Sequence, residues 1–196
     1  MPDTPLDNVP AAFAAALDSL RRASPRSELT VTEIDPPNTL APWSFALAAD
    51  VTPARHSEDS DLGTGRFVVM YDPEEPPAWG GAFRVICYAQ APLETEIGVD
   101  PFLADVAWSW LVDALDARDA GYIFASGTAT KILSTGFGEL ESQGDGALIE
   151  LRASWTPVGD LAAHVEGWGE LLCMLAGLPP AVEGVSLLSA RRVGRE

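Results

Sequence analysis

The chain has 196 residues, 47% of them hydrophobic and 21% charged, enough apolar material for one core without disulfide or metal staples. Its 29 acidic residues against 12 basic ones give a net charge of -17, a surface that repels phosphate backbones and argues against nucleic acid as a direct partner. No apolar run approaches the roughly 20 residues that span a bilayer, and the opening MPDTPLDNVP lacks the positive charge and apolar stretch of a secretory signal, so a cytoplasmic protein without membrane contact is expected.

In chain order, the first element is a helix. Asn8 is a candidate N-cap, Pro10 suits a first turn, and Phe13, Leu17 and Leu20 recur at helical spacing before Pro25 closes the segment. Four strands follow at 28–34, 43–51, 66–72 and 82–91, separated by PPNTLAP, by the polar loop 52–65 and by PEEPPAWGG at 73–81. In the fourth strand apolar residues occupy both faces, as in a central strand covered on both sides or in a dimer interface.

A second helix opens with Asp100 as cap and Pro101 in its first turn. Leu103, Val106, Trp110 and Ala114 form one stripe, with Ala107, Leu111 and Leu115 beside it, and Gly121 stops it. Strands at 122–134 and 147–156 flank a hairpin-like segment whose tight turn is assigned to Gly144-Asp145-Gly146. Asp160 caps a last helix with Leu161, Val165, Trp168, Leu172 and Leu175 on one face, ended by Gly177 and Pro179-Pro180. The order α-β-β-β-β-α-β-β-α, with its consecutive strands, predicts an α+β fold: a single antiparallel sheet of about six strands with helices packed on it. One domain is expected over 8–190, with frayed ends at 1–7 and 191–196.

Few residues point to chemistry. His56 and His164 have no partner at metal-ligand spacing, and there is no G-x-S-x-G elbow or phosphate loop, so no catalytic residue, metal or cofactor is expected. Ser126, among small residues in a strand, reads as close packing. Cys87 and Cys173 sit in apolar stretches and read as buried structural thiols. Arg84, with Glu150 and Arg152, places ionisable groups on strands, either as a cross-strand ion-pair ladder or as an anion or carboxylate site on a sheet face. Trp108 lies far round its helix from Trp110, so that helix is buried on two sides or Trp108 marks a contact surface. Trp43 and Trp79 sit in proline-rich loops, as interface residues, lids or plugs.

The strings FRVICYAQAPLE (83–94), WSWL (108–111), RASWTP (152–157) and HVEGWGELLC (164–173) resemble an actinobacterial family catalogued as domain-of-unknown-function family three thousand. The resemblance extends over roughly 8–192 and implies a cytosolic protein without assigned activity or site residues. A single lysine, Lys131, among abundant Ala, Gly, Pro and Arg accords with a GC-rich genome. The element order is also similar to class I type III secretion chaperones and YbjN-like proteins, which are small, acidic, commonly dimeric and non-catalytic.

Two functions follow as expectations. The first is a non-enzymatic protein-binding or chaperone-like module, with a protein partner or itself as a homodimer, joined through the Trp108 helix or a sheet edge. The alternative is a small-molecule-binding protein or enzyme whose site, with Arg84, Glu150 and Arg152, lies between the sheet and the 100–119 helix.

Overall fold

The computed structural model describes residues 9–37, 41–52 and 62–181. The predicted cap Asn8, most of the loop 52–65 and both ends of the expected domain lie outside the described residues. Helix α1 (Ala11–Arg21) is followed by β1 (Leu29–Ile34), β2 (Trp43–Val51), β3 (Thr64–Tyr71) and β4 (Phe83–Leu93). Then come α2 (Thr95–Gly98), α3 (Leu103–Asp116), β5 (Gly121–Thr135), β6 (Asp145–Val158) and α4 (Leu161–Leu175). The strands form one antiparallel six-stranded sheet in the order β1-β2-β3-β4-β6-β5, the α+β architecture expected.

Three local expectations are corrected. Asp100 does accept a hydrogen bond, from the Phe102 N–H at 2.8 Å, but it braces the turn before the helix, which starts at Leu103. The short helix α2 had no separate signal. The β5–β6 connection is not a tight Gly-Asp-Gly turn: a 3-10 helix at Gly138–Gln143 makes it, and Asp145 is already paired with Thr135. The buried stripe of α3 is Leu103, Ala107, Leu111, Ala114 and Leu115, while Val106 and Trp110 sit on its rim.

The helices cover one face of the sheet. Alternation sends Val85, Cys87 and Ala89 of β4 and Leu151, Ala153 and Trp155 of β6 toward α4, where all are buried. Helix α4 is buried almost all round, from Gly167 to Leu175 without a break. Trp155 and Trp168 each remove on the order of 200 Å² of aromatic surface from water, about 5 kcal/mol per ring before ordering costs. They flank Phe67 with centroids at 6.2 and 5.5 Å.

Their polar atoms are matched. Trp168 Nε1 donates to the Tyr88 carbonyl and Trp155 Nε1 donates to His164 Nδ1, each at 3.1 Å. Asp160 caps α4 as expected, accepting from Ala162 N at 3.0 Å. On the far side of α4, Glu170 is held between Arg26 at 3.2 Å and Arg118 at 3.3 Å, and Arg118 also meets Glu166 at 2.9 Å. This cluster ties the α1–β1 loop, the end of α3 and the segment after α4 together, because Arg26 also donates to the Pro179 carbonyl at 2.7 Å.

Two predictions follow from the core. Burial pushes His164 down to about 4 against opposing contributions from the Val158 backbone and Asp160. The unfolded chain therefore takes up this proton first as pH falls, and the stability it confers is full above pH 6.5 and lost between 6.5 and about 4. Urea unfolding across that window should lose about 3 kcal/mol, and His164→Gln, which can still accept from Trp155, should flatten the dependence. Glu170→Ala, which leaves two arginines without their shared carboxylate, should cost about 3 kcal/mol in the same measurement at neutral pH.

Candidate functional site

Opposite the helices the sheet presents its other face, and the chemistry-bearing residues gather there. Strand β3 contributes Thr64, Arg66, Val68 and Met70, and β4 contributes Arg84, Ile86, Tyr88 and Gln90. Beside them β6 places Glu150, Arg152 and Ser154, and β5 places Ser126 and Thr128. The two-residue period of the strands puts all of these on one side. In a chain of 29 acids and 12 bases, this face carries Arg66, Arg84 and Arg152 against Glu150 and Asp50.

The expected ladder between Arg84 and the β6 pair does not form. The register sets Gln90 beside Glu150 and Tyr88 beside Arg152, so Arg84 lies nearer the other end of its strand. Arg152 instead pairs with Glu150 on its own strand at 3.1 Å, and its guanidinium stands 5.7 Å from the Tyr88 ring centroid. The alternative placement, between the sheet and the 100–119 helix, is also overturned. Helix α3 packs against the covered face, and Arg84, Glu150 and Arg152 point away from it.

Arg84 is 9% exposed, and its partners are all uncharged. Nη1 donates to the Phe124 carbonyl and to Thr156 Oγ1, each at 3.1 Å, and Nη2 donates to Ser154 Oγ at 2.7 Å. Ser154 Oγ lies 3.4 Å from Ser126 Oγ. Among the described residues no carboxylate comes within ion-pair distance, and burial pulls the Arg84 pKa below the usual arginine value. The Phe124 carbonyl reaches Arg84 from a bulge in β5 between Ile123 and Ser126, where Phe124 adopts a φ of 53°.

The tryptophans divide between the two faces. Trp79 folds over the open face against Ala46, Val68 and Met70, and its carbonyl accepts from Thr156 Oγ1. Gly80, at φ 72°, lies directly under the Phe124 ring, where a Cβ would collide. Trp43 packs on Phe13 at 6.2 Å on the covered face. Trp108 rests on Gly127 of β5, so α3 is buried on two sides, by the sheet and by α4. Trp43 and Trp108 thus take no part in the open-face cluster. Arg66, Tyr88, Ser154 and Thr156 belong to it and were not singled out from sequence. The available signal was the alternation of Glu150, Arg152, Ser154 and Thr156 with buried residues along β6.

A cleft of ≈ 590 Å³ lies on this face over Val68, Ile86 and Tyr88, with Arg66 and Arg152 at its sides. Among the described residues no imidazole or carboxylate hydrogen-bonds the hydroxyls of Ser126, Ser154 or Thr156. Burial pushes the Cys87 thiol up to about 12 and Cys173 up to about 11, so both stay protonated and inert at neutral pH. Among the described residues no group of three His, Cys, Asp or Glu is placed to hold a metal ion.

The Thr156 hydroxyl is the link between Arg84 and the Trp79 loop. Thr156→Val should cost about 1–2 kcal/mol and loosen residues 72–82. The expected readout is a red shift of tryptophan emission that is absent when Trp79→Phe is already in place.

Comparison with known proteins agrees with the strings noted in the sequence. A family model described as protein of unknown function (DUF3000) matches residues 9–186. No curated protein and no solved structure matches the chain. With the match running through every element from α1 to α4, the chain belongs to the DUF3000 family.

Proposed function

We propose that the protein is a non-enzymatic binding module that acts through protein contacts, and that its first partner is a second copy of itself. The observation that carries this reading is the distribution of exposed apolar residues. Ile123, Phe124, Ile132 and Leu133 lie on β5, and Phe137 and Leu140 lie just beyond it. Ile97, Val99, Phe102 and Val106 lie on the α2–α3 segment beside it, where Lys131 Nζ donates to the Asp100 carbonyl at 2.7 Å. Val158, also exposed, pairs with the first residue of β5. One flank of the molecule thus holds the large apolar side chains that the described residues leave exposed.

That flank is also a sheet edge. Strand β5 runs for 15 residues and pairs with β6 alone. Sheets normally protect such edges with prolines, charges or short length. This strand contains no proline, and its one charge is Lys131. The strand itself carries no acidic residue in a chain of net charge -17, and the nearest carboxylates of this flank belong to its neighbours, Glu139 and Glu141 beside Leu140 among them. Antiparallel β5–β5 pairing about a two-fold axis would join the sheets and cover the apolar flank.

Other features support the setting. The two buried free cysteines suit a reducing compartment, the cytoplasm, and no helix among the described residues is long and apolar enough to cross a membrane. The arginine-rich, lysine-poor composition suits an actinobacterial origin. The likeness of element order to type III secretion chaperones and YbjN-like proteins supports a chaperone-like role at the level of fold alone.

Light scattering on a sizing column should give twice the 20.8 kDa chain mass at micromolar concentration. The double substitution Ile132→Glu with Leu133→Glu should give a folded monomer with an unchanged circular dichroism spectrum. A wild-type monomer at high micromolar concentration, or a dimer indifferent to these substitutions, would overturn the β5 interface.

A further inference from the structure

The geometry points to a carboxylate-binding site on the open sheet face, with Arg84 as its charged anchor and Ser126 and Ser154 as its floor. A guanidinium has five N–H donors. Three are used by Phe124, Thr156 and Ser154, which leaves Nε–H and one Nη2–H without a partner among the described residues. Two donors on one planar fork match the two oxygens of a carboxylate, the geometry that gives arginine its strongest pairings.

The charge argument is independent of that count. A buried cation whose partners are all neutral leaves its desolvation cost largely uncompensated, which a bound anion would offset. The other arginines of the described interior are not left in this way: Arg26 and Arg118 each meet glutamates. Arg84, on β4, is held in place by acceptors from both β5 and β6, including the Phe124 carbonyl delivered by the strained bulge. Such pre-set geometry lowers the ordering cost of binding.

The surroundings complete the seat. Ser126 is exposed and Ser154 half-buried, so two small hydroxyls 3.4 Å apart lie where a larger side chain would block approach to Arg84. Trp79 closes one side, and Ile86 leads to the cleft flanked by Arg66 and Arg152. A ligand with its carboxylate at Arg84 would lay its apolar body over Ile86 and Val68. The site uses the face of β5 at Phe124 and Ser126, and the proposed interface uses its free edge. The monomeric Ile132→Glu, Leu133→Glu variant, changed at the other end of the strand, should therefore retain it.

The test is a titration at constant ionic strength, read by Trp79 emission and by thermal shift. Succinate serves as the free-acid probe and a capped glutamate tripeptide as the protein-borne probe. Saturable binding of either supports the site, and the tighter of the two tells whether the carboxylate comes from a metabolite or a protein segment. Ser126→Leu, at an exposed position, should fill the seat and weaken binding at least about tenfold, the loss expected when charge-assisted hydrogen bonds are removed. Arg84→Gln should do the same, and if that variant fails to fold, Ser126→Leu decides. No saturable response to either probe, a response unchanged in Ser126→Leu, or tighter binding of inorganic phosphate would overturn the assignment.

Discussion

The packing of α4 on one face of the sheet is the constraint on which the rest of the structure depends. The helix brings Trp168 against Phe67, and β6 brings Trp155 to the same place, so the largest side chains of the core meet at one point. Burial on that scale requires each polar group to find a partner. The indole of Trp155 finds His164, the indole of Trp168 finds the Tyr88 carbonyl, and Glu170 finds two arginines. Burial keeps His164 neutral while its Nδ1 orients Trp155, and its Nε2 is the exception, buried without a partner among the described residues.

Because α1, α3 and α4 gather on that face, the other face is met, among the described residues, by the 72–82 loop and by Pro37. Tyrosine, serine, threonine and arginine then alternate on a surface that in a two-layer fold is free to meet a ligand. Residues 72–82 cover one end of it, pinned by Thr156 and by the contact between Phe124 and Gly80. A single buried arginine joins loop, bulge and sheet. Its position is as much a matter of β5 as of its own strand, since the bulge at Phe124 supplies the acceptor.

The same one-sided arrangement exposes the β5 edge. Helix α3 reaches only far enough to seat Trp108 on Gly127, and beyond that point the hairpin continues with apolar residues facing outward. A long edge strand with one lysine and a bulge is weakly protected, and its apolar neighbours give it a surface to bury. Edge and open face meet at β5, whose bulge lends the Phe124 carbonyl to Arg84 while its remaining apolar side chains stay exposed.

Much of the fold was legible in the sequence for local reasons. Strand alternation in β1, β2 and β6, the cap at Asp160 and the glycine and proline stops are short-range signals, and the element order with its antiparallel sheet followed from them. The extent of α4 burial was not legible, because Glu170 is tolerated inside only through Arg26 and Arg118, at distant positions in the chain. Arg84, Glu150 and Arg152 could be recognised as strand residues, but not their partners. Side-chain parity along a strand is local, whereas the register between β4 and β6 is set by which residues bury against α4. That register left Arg84 among hydroxyls and a carbonyl, while Glu150 and Arg152, two residues apart on one strand, pair with each other. The sequence alone determined which residues alternate and where the elements stop; only the tertiary structure decided which face the helices cover and which charge is left without its counter-ion, because both depend on contacts between residues far apart in the chain.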